Sequence, residues 1–221
     1  MTKDELLGEL YDKTLTGNGP AVLDLTNQGL GQGLGPETLL YEALIPALEE
    51  VGARFERGDF FVPEMLIAGK AMAGALEILR PLLAETGAET IGTVVMGTVK
   101  GDVHDIGKNL VNIMLEGAGF TVHDLGVNVA PETFVEQVQE HQPDIVGFSA
   151  FLTTTMPMFK ANINALEKAG IRDEVIVMVG GAPVTQEYAD AVGADGYAAD
   201  ASTAVRMAKD LIQRKRSAVT A

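Results

Sequence analysis

The sequence predicts an α/β protein: an N-terminal four-helix bundle cap, followed by a flavodoxin-like (Rossmann-type) doubly wound sheet of five parallel strands. Residues 1–88 place apolar side chains at three- and four-residue spacings, which is the period of an amphipathic helix. From residue 90 onward, short apolar runs rich in β-branched residues alternate with helical stretches, which indicates parallel strands covered by helices on both faces. We therefore predict a helical domain over 1–88 and an α/β domain over 89–221, with a linker at 84–90.

Four helices are predicted in the first domain. Two short ones fit residues 3–15 and 20–30, and two longer ones begin near Pro36 and Pro63. Proline suits a first helical turn because its missing N–H would have no helical partner there. Pro46, inside the third helix, predicts a kink. The apolar positions of the longer helices are Leu40, Leu44, Ala47, Leu48, Val51, Met65, Ala68, Met72, Ala75, Leu76 and Leu79.

Five strands and five helices are predicted in the second domain. The repeated strand-and-helix unit matches the flavodoxin-like fold. The predicted strands are 91–96, 120–125, 144–149, 175–180 and 195–199. The predicted helices are 105–118, 131–141, 156–169, 185–192 and 201–215.

Composition excludes several classes of function. The chain has 31 acidic against 16 basic residues, a net charge of −15, which argues against binding to a phosphate backbone. It has no cysteine, so disulfides, thiolate zinc sites and iron–sulfur clusters are excluded. No apolar stretch approaches the roughly 18 residues of a membrane span, and the start MTKDELLGEL is too polar for a signal peptide. We expect a soluble cytoplasmic protein without nucleic-acid or membrane partners.

The candidate site lies in the segments that follow the strands, because ligands of such sheets bind beyond the carboxyl ends of the strands. These segments contain hydroxyls and small residues rather than clustered charge, which suits a neutral or amphiphilic group. The glycine pair after the fourth strand leaves space for a flat or elongated group, although a tight turn uses the same residues. The residues concerned are Asp102, His104, Gly107, Ser149, Thr153, Thr154, Thr155, Gly180, Gly181, Ala182, Ala199, Asp200, Ala201 and Ser202.

The stretch GDVHDIGK sets Asp102 two residues before His104. A histidine held by a carboxylate is a general base, a metal ligand or an ordinary satisfied polar pair. His123 in a strand and His141 at a helix end are expected to be structural, and a serine or zinc hydrolase would need further histidines or acids near His104. A phosphoacceptor domain would need aspartate at Ser149, and neither a dinucleotide fingerprint nor a P-loop fits this stretch.

Three motifs, DVHDIG, SAFLTT and VMVGGAP, together resemble the cobalamin-binding module of cobalamin-dependent methionine synthase, methylmalonyl-CoA mutase and the corrinoid methyl carriers. Asp102, His104 and Gly107 match D-x-H-x-x-G; Ser149 opens S-x-L, with Phe151 where leucine is usual. EVGARFERGDFFVPEML is similar to the cap bundle of methionine synthase and of stand-alone corrinoid proteins. Without a catalytic barrel, the chain most resembles the free-standing corrinoid protein of three-component methyltransferase systems.

The resemblance implies cobalamin as cofactor, bound base-off and His-on, with His104 as the lower axial ligand of cobalt. Asp102 would fix the histidine tautomer, and Thr155 would complete a hydrogen-bonded relay of histidine, aspartate and hydroxyl. Phe61 would act as a lid over the methyl face, with core packing as the alternative for Phe60 and Phe61. In the loop after the first strand, the resemblance implies further cofactor contacts at Gly101, Val103, Asp105 and Gly107. It also implies contacts to the displaced nucleotide tail at Ser149, Thr153 and Ala201, and space beside the tail at Gly180 and Gly181.

The resemblance also implies a carrier that is not catalytic alone. It would shuttle a methyl group on cobalt, as Co(I) and methyl-Co(III), between two methyltransferases. The first would be specific for a substrate such as a methylamine, a betaine, methanol or a methoxy-aromatic compound; the second would be a corrinoid:tetrahydrofolate or coenzyme M methyltransferase. A reductive activase is a further partner. The alternatives are a cobalamin-dependent sensor, disfavoured because no basic DNA-binding domain is present, and a scaffold that has lost its cofactor.

Overall fold

The computed structural model describes residues 1–86 and 90–219. The chain forms two compact units. The first unit consists of Met1–Thr90 with Glu116–Gly119, and the second of Ile91–Leu115 with the chain from Phe120 onward. The predicted boundary between residues 88 and 89, and part of the predicted linker, fall outside the described residues.

The first unit is helical, as its periodicity predicts. Its helices are α1 (Lys3–Leu15), α2 (Gly19–Gly31), α3 (Pro36–Leu39), α4 (Ile45–Glu56) and α5 (Val62–Thr86). The start of α1 is closed by a capping box in which the Glu5 N–H donates to Thr2 Oγ1 at 3.3 Å and the Thr2 N–H donates to Glu5 Oε2 at 2.8 Å. The two reciprocal bonds satisfy N–H groups that a free helix end leaves without partners.

The third predicted helix is interrupted just before Pro46. A π-helical turn, Leu40–Leu44, separates α3 from α4, and the Ile45 N–H donates to the carbonyl of Leu40. Proline has no N–H to donate and its ring crowds the preceding turn, so the regular α-helical bonding pattern is not maintained here. The sequence predicts a kink at Pro46, and the structure has a π-helical turn just before this proline.

The apolar stripes predicted for the longer helices form the core of the first unit. Every one of their eleven predicted positions is buried, and Leu44, Val51, Met65, Met72 and Leu79 are completely inaccessible. Helix α5 packs against α2 and α4, and α1 packs against α2 and α4. The helical period alone was therefore sufficient to identify the buried face of each helix.

The second unit contains a five-stranded parallel sheet with the order β2-β1-β3-β4-β5, the flavodoxin-like order that was predicted. Its strands are β1 (Thr93–Thr98), β2 (Thr121–Asp124), β3 (Ile145–Ser149), β4 (Ile176–Gly180) and β5 (Gly196–Ala198). Its helices are α6 (Ile106–Gly117), α7 (Pro131–His141), α8 (Pro157–Lys168), α9 (Gln186–Val192) and α10 (Ala201–Val219), with a 3-10 turn at Arg172–Glu174. No helix in the described part of the chain is long and apolar enough to cross a bilayer.

The two faces of the sheet carry different side chains. One face presents Val95, Val146, Phe148, Val177 and Val179 to a continuous core that includes residues of α7, α8 and α9. The other face presents mainly small residues toward the carboxyl ends of the strands. Strand β1 runs two residues beyond its predicted end, to Thr98, so that Thr98 belongs to the sheet rather than to the following loop.

Candidate functional site

Asp102 is the central hydrogen-bond acceptor of the site at the carboxyl end of the sheet. It is completely buried, although it follows directly on an exposed glycine. Its Oδ1 lies 2.7 Å from Nδ1 of His104 and accepts the His104 N–H at 3.1 Å. Its Oδ2 accepts hydrogen bonds from Thr155 Oγ1 at 2.7 Å and from the N–H groups of Phe151 and Leu152 at 2.8 and 3.2 Å. One carboxylate thus joins the loop after β1 to the loop after β3.

These bonds keep Asp102 ionised. Burial alone would raise its pKa, but the hydrogen bonds from Thr155, from the ring and backbone of His104 and from the Phe151 N–H together hold the pKa well below its usual range. An ionised carboxylate only accepts hydrogen bonds. The proton in the contact with His104 therefore lies on Nδ1, and in the neutral tautomer that this contact selects the lone pair is on Nε2.

The imidazole of His104 is partly exposed, with 45% of its side chain accessible. The ring of Phe151 stacks on it, with centroids 4.3 Å apart and an angle of 26° between the planes. Phe151 stands where the family pattern has leucine, and the structure places its ring against the histidine. The bond to Asp102 and this stacking together restrict the orientation of the imidazole.

The backbone around Asp102 and His104 is held by two residues that sequence reasoning missed. Thr98 is completely buried, and its Oγ1 donates to the carbonyl of His104 at 3.0 Å. Asn128, in the loop after β2, accepts the Gly101 N–H on Oδ1 at 2.8 Å and donates its own N–H to the carbonyl of Asp102 at 2.9 Å. The strand order of the predicted fold could have indicated Asn128, because it brings the loop after β2 next to the loop after β1.

Lys108 is a buried cation beside the same loop. Only 1% of its side chain is accessible, and its Nζ donates to both carboxylate oxygens of Asp124 at 2.7 Å. It also donates to Asn109 Oδ1 at 2.6 Å, and Asn109 Nδ2 donates to Asp105 Oδ2 at 3.1 Å. This network ties the first turn of α6 to the end of β2.

Replacing Lys108 with methionine is expected to lower the free energy of unfolding by about 1–3 kcal/mol, because the partly buried Asn109 and the carboxylate of Asp124, whose side chain is 40% accessible, lose their bonds to the ammonium. Urea unfolding measures the change. The matched control is Lys3→Met, which removes the exposed pair with Glu42 and is expected to cost less than about 0.5 kcal/mol. Equal changes in the two variants would contradict the structural role of Lys108.

The glycines predicted for the site divide into two kinds. Gly101 and Gly181 have positive φ values of 84° and 132°, so the backbone itself requires glycine there. Gly107 and Gly180 have no such requirement. No atom lies within 4 Å of the place where a Cβ on Gly107 would stand, and a Cβ on Gly180 would meet only the carbonyl oxygen of Ala198, at 3.3 Å; both statements concern residues 1–86 and 90–219. Backbone conformation therefore does not account for glycine at these two positions.

The remaining predicted residues are placed as follows. Ser149 lies in register with Thr98 and Gly180. Thr153 is exposed in the loop after β3, Val103 is exposed and Asp105 partly so, and Ala201 is buried at the start of α10. In the first unit, Phe61 precedes α5 and donates its N–H to Glu64 Oε2 at 2.9 Å. Phe61 is 64% exposed, so it is not a core residue. Phe60 is partly buried, and the guanidinium of Arg54 lies 5.2 Å from the centre of its ring.

The other two histidines pack against each other. The rings of His123 and His141 stack with centroids 3.8 Å apart. Burial, and next the neighbouring His141, lower the pKa of His123, which favours its neutral form. This packing supports the prediction that both histidines are structural.

His104 is suited to a metal whose other ligands come from a macrocycle. Within the described ranges, no group of three or more His, Asp or Glu side chains is placed to hold a metal ion. A single imidazole with a free Nε2 lone pair, its other nitrogen held by a carboxylate, is the arrangement that protein ligands of metals use. Val103, Ile106, Phe151 and Leu152, in the two segments that follow β1 and β3, expose apolar side chains that suit an apolar ring face. The residues present therefore fit a corrinoid.

Comparison with known proteins agrees. A family model described as a B12 binding domain matches residues 92–206, and a second model with the same description matches residues 6–80. The dimethylamine corrinoid protein 1 of Methanosarcina acetivorans is 45% identical over 213 residues, which is 96% of this chain and 100% of that protein. The trimethylamine corrinoid protein 1 of the same organism is 40% identical over 206 residues, 92% of this chain and 95% of that protein.

A solved structure extends the similarity to three dimensions. The methanol:cobalamin methyltransferase complex MtaBC from Methanosarcina barkeri contains a chain that matches with a TM-score of 0.84 at 31% identity, covering 96% of this chain and 81% of that chain. The match includes both the helical and the α/β parts. The chain therefore belongs to the family of B12-binding corrinoid proteins, and its cofactor is a corrinoid.

Proposed function

We propose that this protein is the methyl-carrying component of a methylamine methyltransferase system and that it binds its corrinoid base-off and His-on. The observation that carries the proposal is the buried, ionised Asp102 bonded to Nδ1 of a partly exposed His104. This arrangement leaves Nε2 as a cobalt ligand. When bound, the corrinoid supplies a cobalt centre that accepts a methyl group and gives it up again.

The chain's own residues orient and tune the ligand. Asp102 accepts the Nδ1 proton, which fixes the tautomer and raises the basicity of Nε2. Thr155 donates to the other carboxylate oxygen at 2.7 Å and thereby holds Asp102 in the plane that His104 needs. Thr155 Oγ1 also lies 2.8 Å from the carbonyl of Leu152. Its single proton serves one acceptor at a time, and the ionised carboxylate is the stronger one.

Ser149, Thr153 and Ala201 would contact the nucleotide tail of the corrinoid, which would lie beside Gly180 and Gly181. The absence of any side chain near the Cβ position of Gly180, within the described residues, supports this assignment. Gly101, Val103, Asp105 and Gly107 would contact the ring from the loop before α6. In this proposal residues 89–221 form the corrinoid-binding domain, and residues 1–88 form the cap, in which the exposed Phe61 shields the methyl group and withdraws for transfer.

The relatives support a methylamine as the methyl donor. Two of them are named for dimethylamine and trimethylamine, and the structural match belongs to a complex that acts on methanol. We infer that a substrate-specific methyltransferase loads the protein and that a corrinoid:coenzyme M or corrinoid:tetrahydrofolate methyltransferase unloads it, with a reductive activase to restore inactive cofactor. The protein is not catalytic by itself.

The proposal is tested by the absorption spectrum of the purified protein reconstituted with cobalamin. The wild type is expected to show the base-off, His-on spectrum, and His104→Ala is expected to lose it because no other imidazole adjoins Asp102 among the described residues. His141→Ala is the matched control and should retain the spectrum. A His-on spectrum that persists in His104→Ala would overturn the assignment of the ligand.

The carrier role is tested separately. The reduced holoprotein, mixed with dimethylamine and a purified dimethylamine methyltransferase, is expected to become methylated in one turnover, and to remain unmethylated when the methyltransferase is omitted. Methylation without that enzyme, or none in its presence with dimethylamine, trimethylamine or methanol and the matching methyltransferase, would contradict the proposed role.

A further inference from the structure

The face of the sheet that carries Ser149 and Gly180 has two rows of residues in cross-strand register. The row at the carboxyl ends of the strands contains only small side chains. The next row, two residues deeper, alternates methionine and glycine. The outer row is Thr98, Ser149, Gly180 and Ala198, and the inner row is Met96, Gly147, Met178 and Gly196.

Thioethers lie directly over both glycines of the inner row. A Cβ on Gly147 would stand 2.5 Å from Sδ and 2.6 Å from Cε of Met96. A Cβ on Gly196 would stand 2.6 Å from Sδ of Met207, which belongs to α10, and 3.0 Å from Cδ1 of Leu211. The space that glycine leaves is thus taken by the flexible ends of two methionines.

The outer row is different. Within the described chain, no side chain approaches the Cβ position of Gly180, where the carbonyl oxygen of Ala198 is the sole neighbour. In the proposed binding mode the nucleotide tail would lie over the small residues of the outer row. One row deeper it would meet Met178, two residues before Gly180 on β4, with Met96 over Gly147 on one side and Met207 over Gly196 on the other. Both rows lie on one face because side chains of a strand alternate between faces.

From these contacts we propose that Met96, Met178 and Met207 form an adaptable end wall for the nucleotide tail, so that the protein takes corrinoids whose lower bases differ in length. This inference rests on the proposed His-on binding, which places the lower base over the outer row. Methionine is unbranched and polarisable and fills irregular space in more than one rotamer. A shift of Met96 off Gly147 lengthens the space for the tail toward the inner row, which is about 6–7 Å further along the strands.

The experiment compares the dissociation constants of three corrinoids. Cobinamide has no nucleotide tail, whereas the benzimidazole and 5,6-dimethylbenzimidazole cobamides differ by two methyl groups at the far edge of the base. The wild type is expected to bind the two cobamides with dissociation constants within about threefold of each other. In a rigid pocket the two extra methyl groups would change the binding free energy by roughly 0.8 kcal/mol each, and an adaptable wall removes most of that difference. Both should bind more tightly than cobinamide.

Met96→Ile makes the wall stiff, because a β-branched side chain has restricted χ1 rotamers. We expect this variant to prefer the shorter base by more than about tenfold, with cobinamide binding unchanged. Met65→Ile, at a buried methionine of the first unit, controls for the loss of a thioether as such and should leave the ratio unchanged.

The outcomes separate this inference from the function on which it rests. A wild-type preference of more than tenfold between the two cobamides, or an unchanged ratio in folded Met96→Ile, overturns the adaptable wall alone. The wild-type ratio decides the matter even if the variant does not fold. Failure of all three corrinoids to bind the wild type, or binding that His104→Ala does not weaken, overturns the proposed function and the inference together.

Discussion

Asp102→Ala is expected to lower the free energy of unfolding by about 3–5 kcal/mol and to weaken corrinoid binding by about 10–100-fold. The carboxylate accepts five hydrogen bonds at a completely buried position, so its removal leaves the N–H donors of Phe151 and Leu152 without their partner, whereas the Thr155 hydroxyl retains the carbonyl of Leu152. It also frees the imidazole of His104 to take either tautomer. Chemical denaturation and a spectroscopic titration with cobalamin measure the two effects.

The pH dependence of the stability loss gives an independent check. Because folding lowers the pKa of Asp102 from its ordinary 3.8, the ionised group contributes its full stabilisation above that value. This contribution is lost as the pH falls below 3.8 toward the lowered pKa of the folded state. The difference between wild type and Asp102→Ala should therefore be constant near neutrality and shrink in acid. Asp59→Ala, at an exposed carboxylate paired with Arg57, should change stability little at any pH.

Gly181→Ala is expected to lower the free energy of unfolding by at least about 4 kcal/mol, or to prevent folding. The new Cβ would stand 1.9 Å from the carbonyl oxygen of Ala150, and the residue has a φ of 132°, which a side chain disfavours. Relief requires the loop after β3 to move, and the next residue in that loop, Phe151, donates its N–H to Asp102. Thermal unfolding and cobalamin binding should both be impaired.

The matched control is the neighbouring glycine. Gly180→Ala places a Cβ 3.3 Å from the carbonyl oxygen of Ala198 with no positive φ to maintain, so its stability is expected to change by less than about 1 kcal/mol. The prediction is contradicted if Gly181→Ala melts at the wild-type temperature or if the two variants lose equal free energy of unfolding. Either result would mean that the loop after β3 moves without cost.

Much of the architecture follows from local patterns along the chain. The change of apolar period near residue 90 separates the two halves, and the alternation of strands and helices predicts a parallel sheet, because burial on one helical stripe or on both faces of a strand is a local requirement. The strand-end rule then brings Asp102, His104, Ser149 and Gly180 to one edge. Their chemical roles came from the family resemblance rather than from spacing.

Several features of the site depend on contacts between residues far apart in the sequence. Thr155 and Asp102 are 53 residues apart, and their bond exists only because β1 and β3 are neighbours in register. The loop after β2 was left out of the predicted site, yet its Asn128 holds the backbone of Asp102. The end of β1 was also placed two residues early, which hid the role of Thr98.

By itself the sequence determined the fold class and the buried stripes of the longer helices, since both follow from periodicity, and its motifs made His104 the candidate ligand through their resemblance to a family. Only the tertiary structure decided the burial of Lys108, the stacking of Phe151 on His104 and the methionines over Gly147 and Gly196. The reason is physical: periodicity specifies which face a side chain occupies, whereas its partners on that face are set by strand register and rotamer choice, which arise when separate segments pack together.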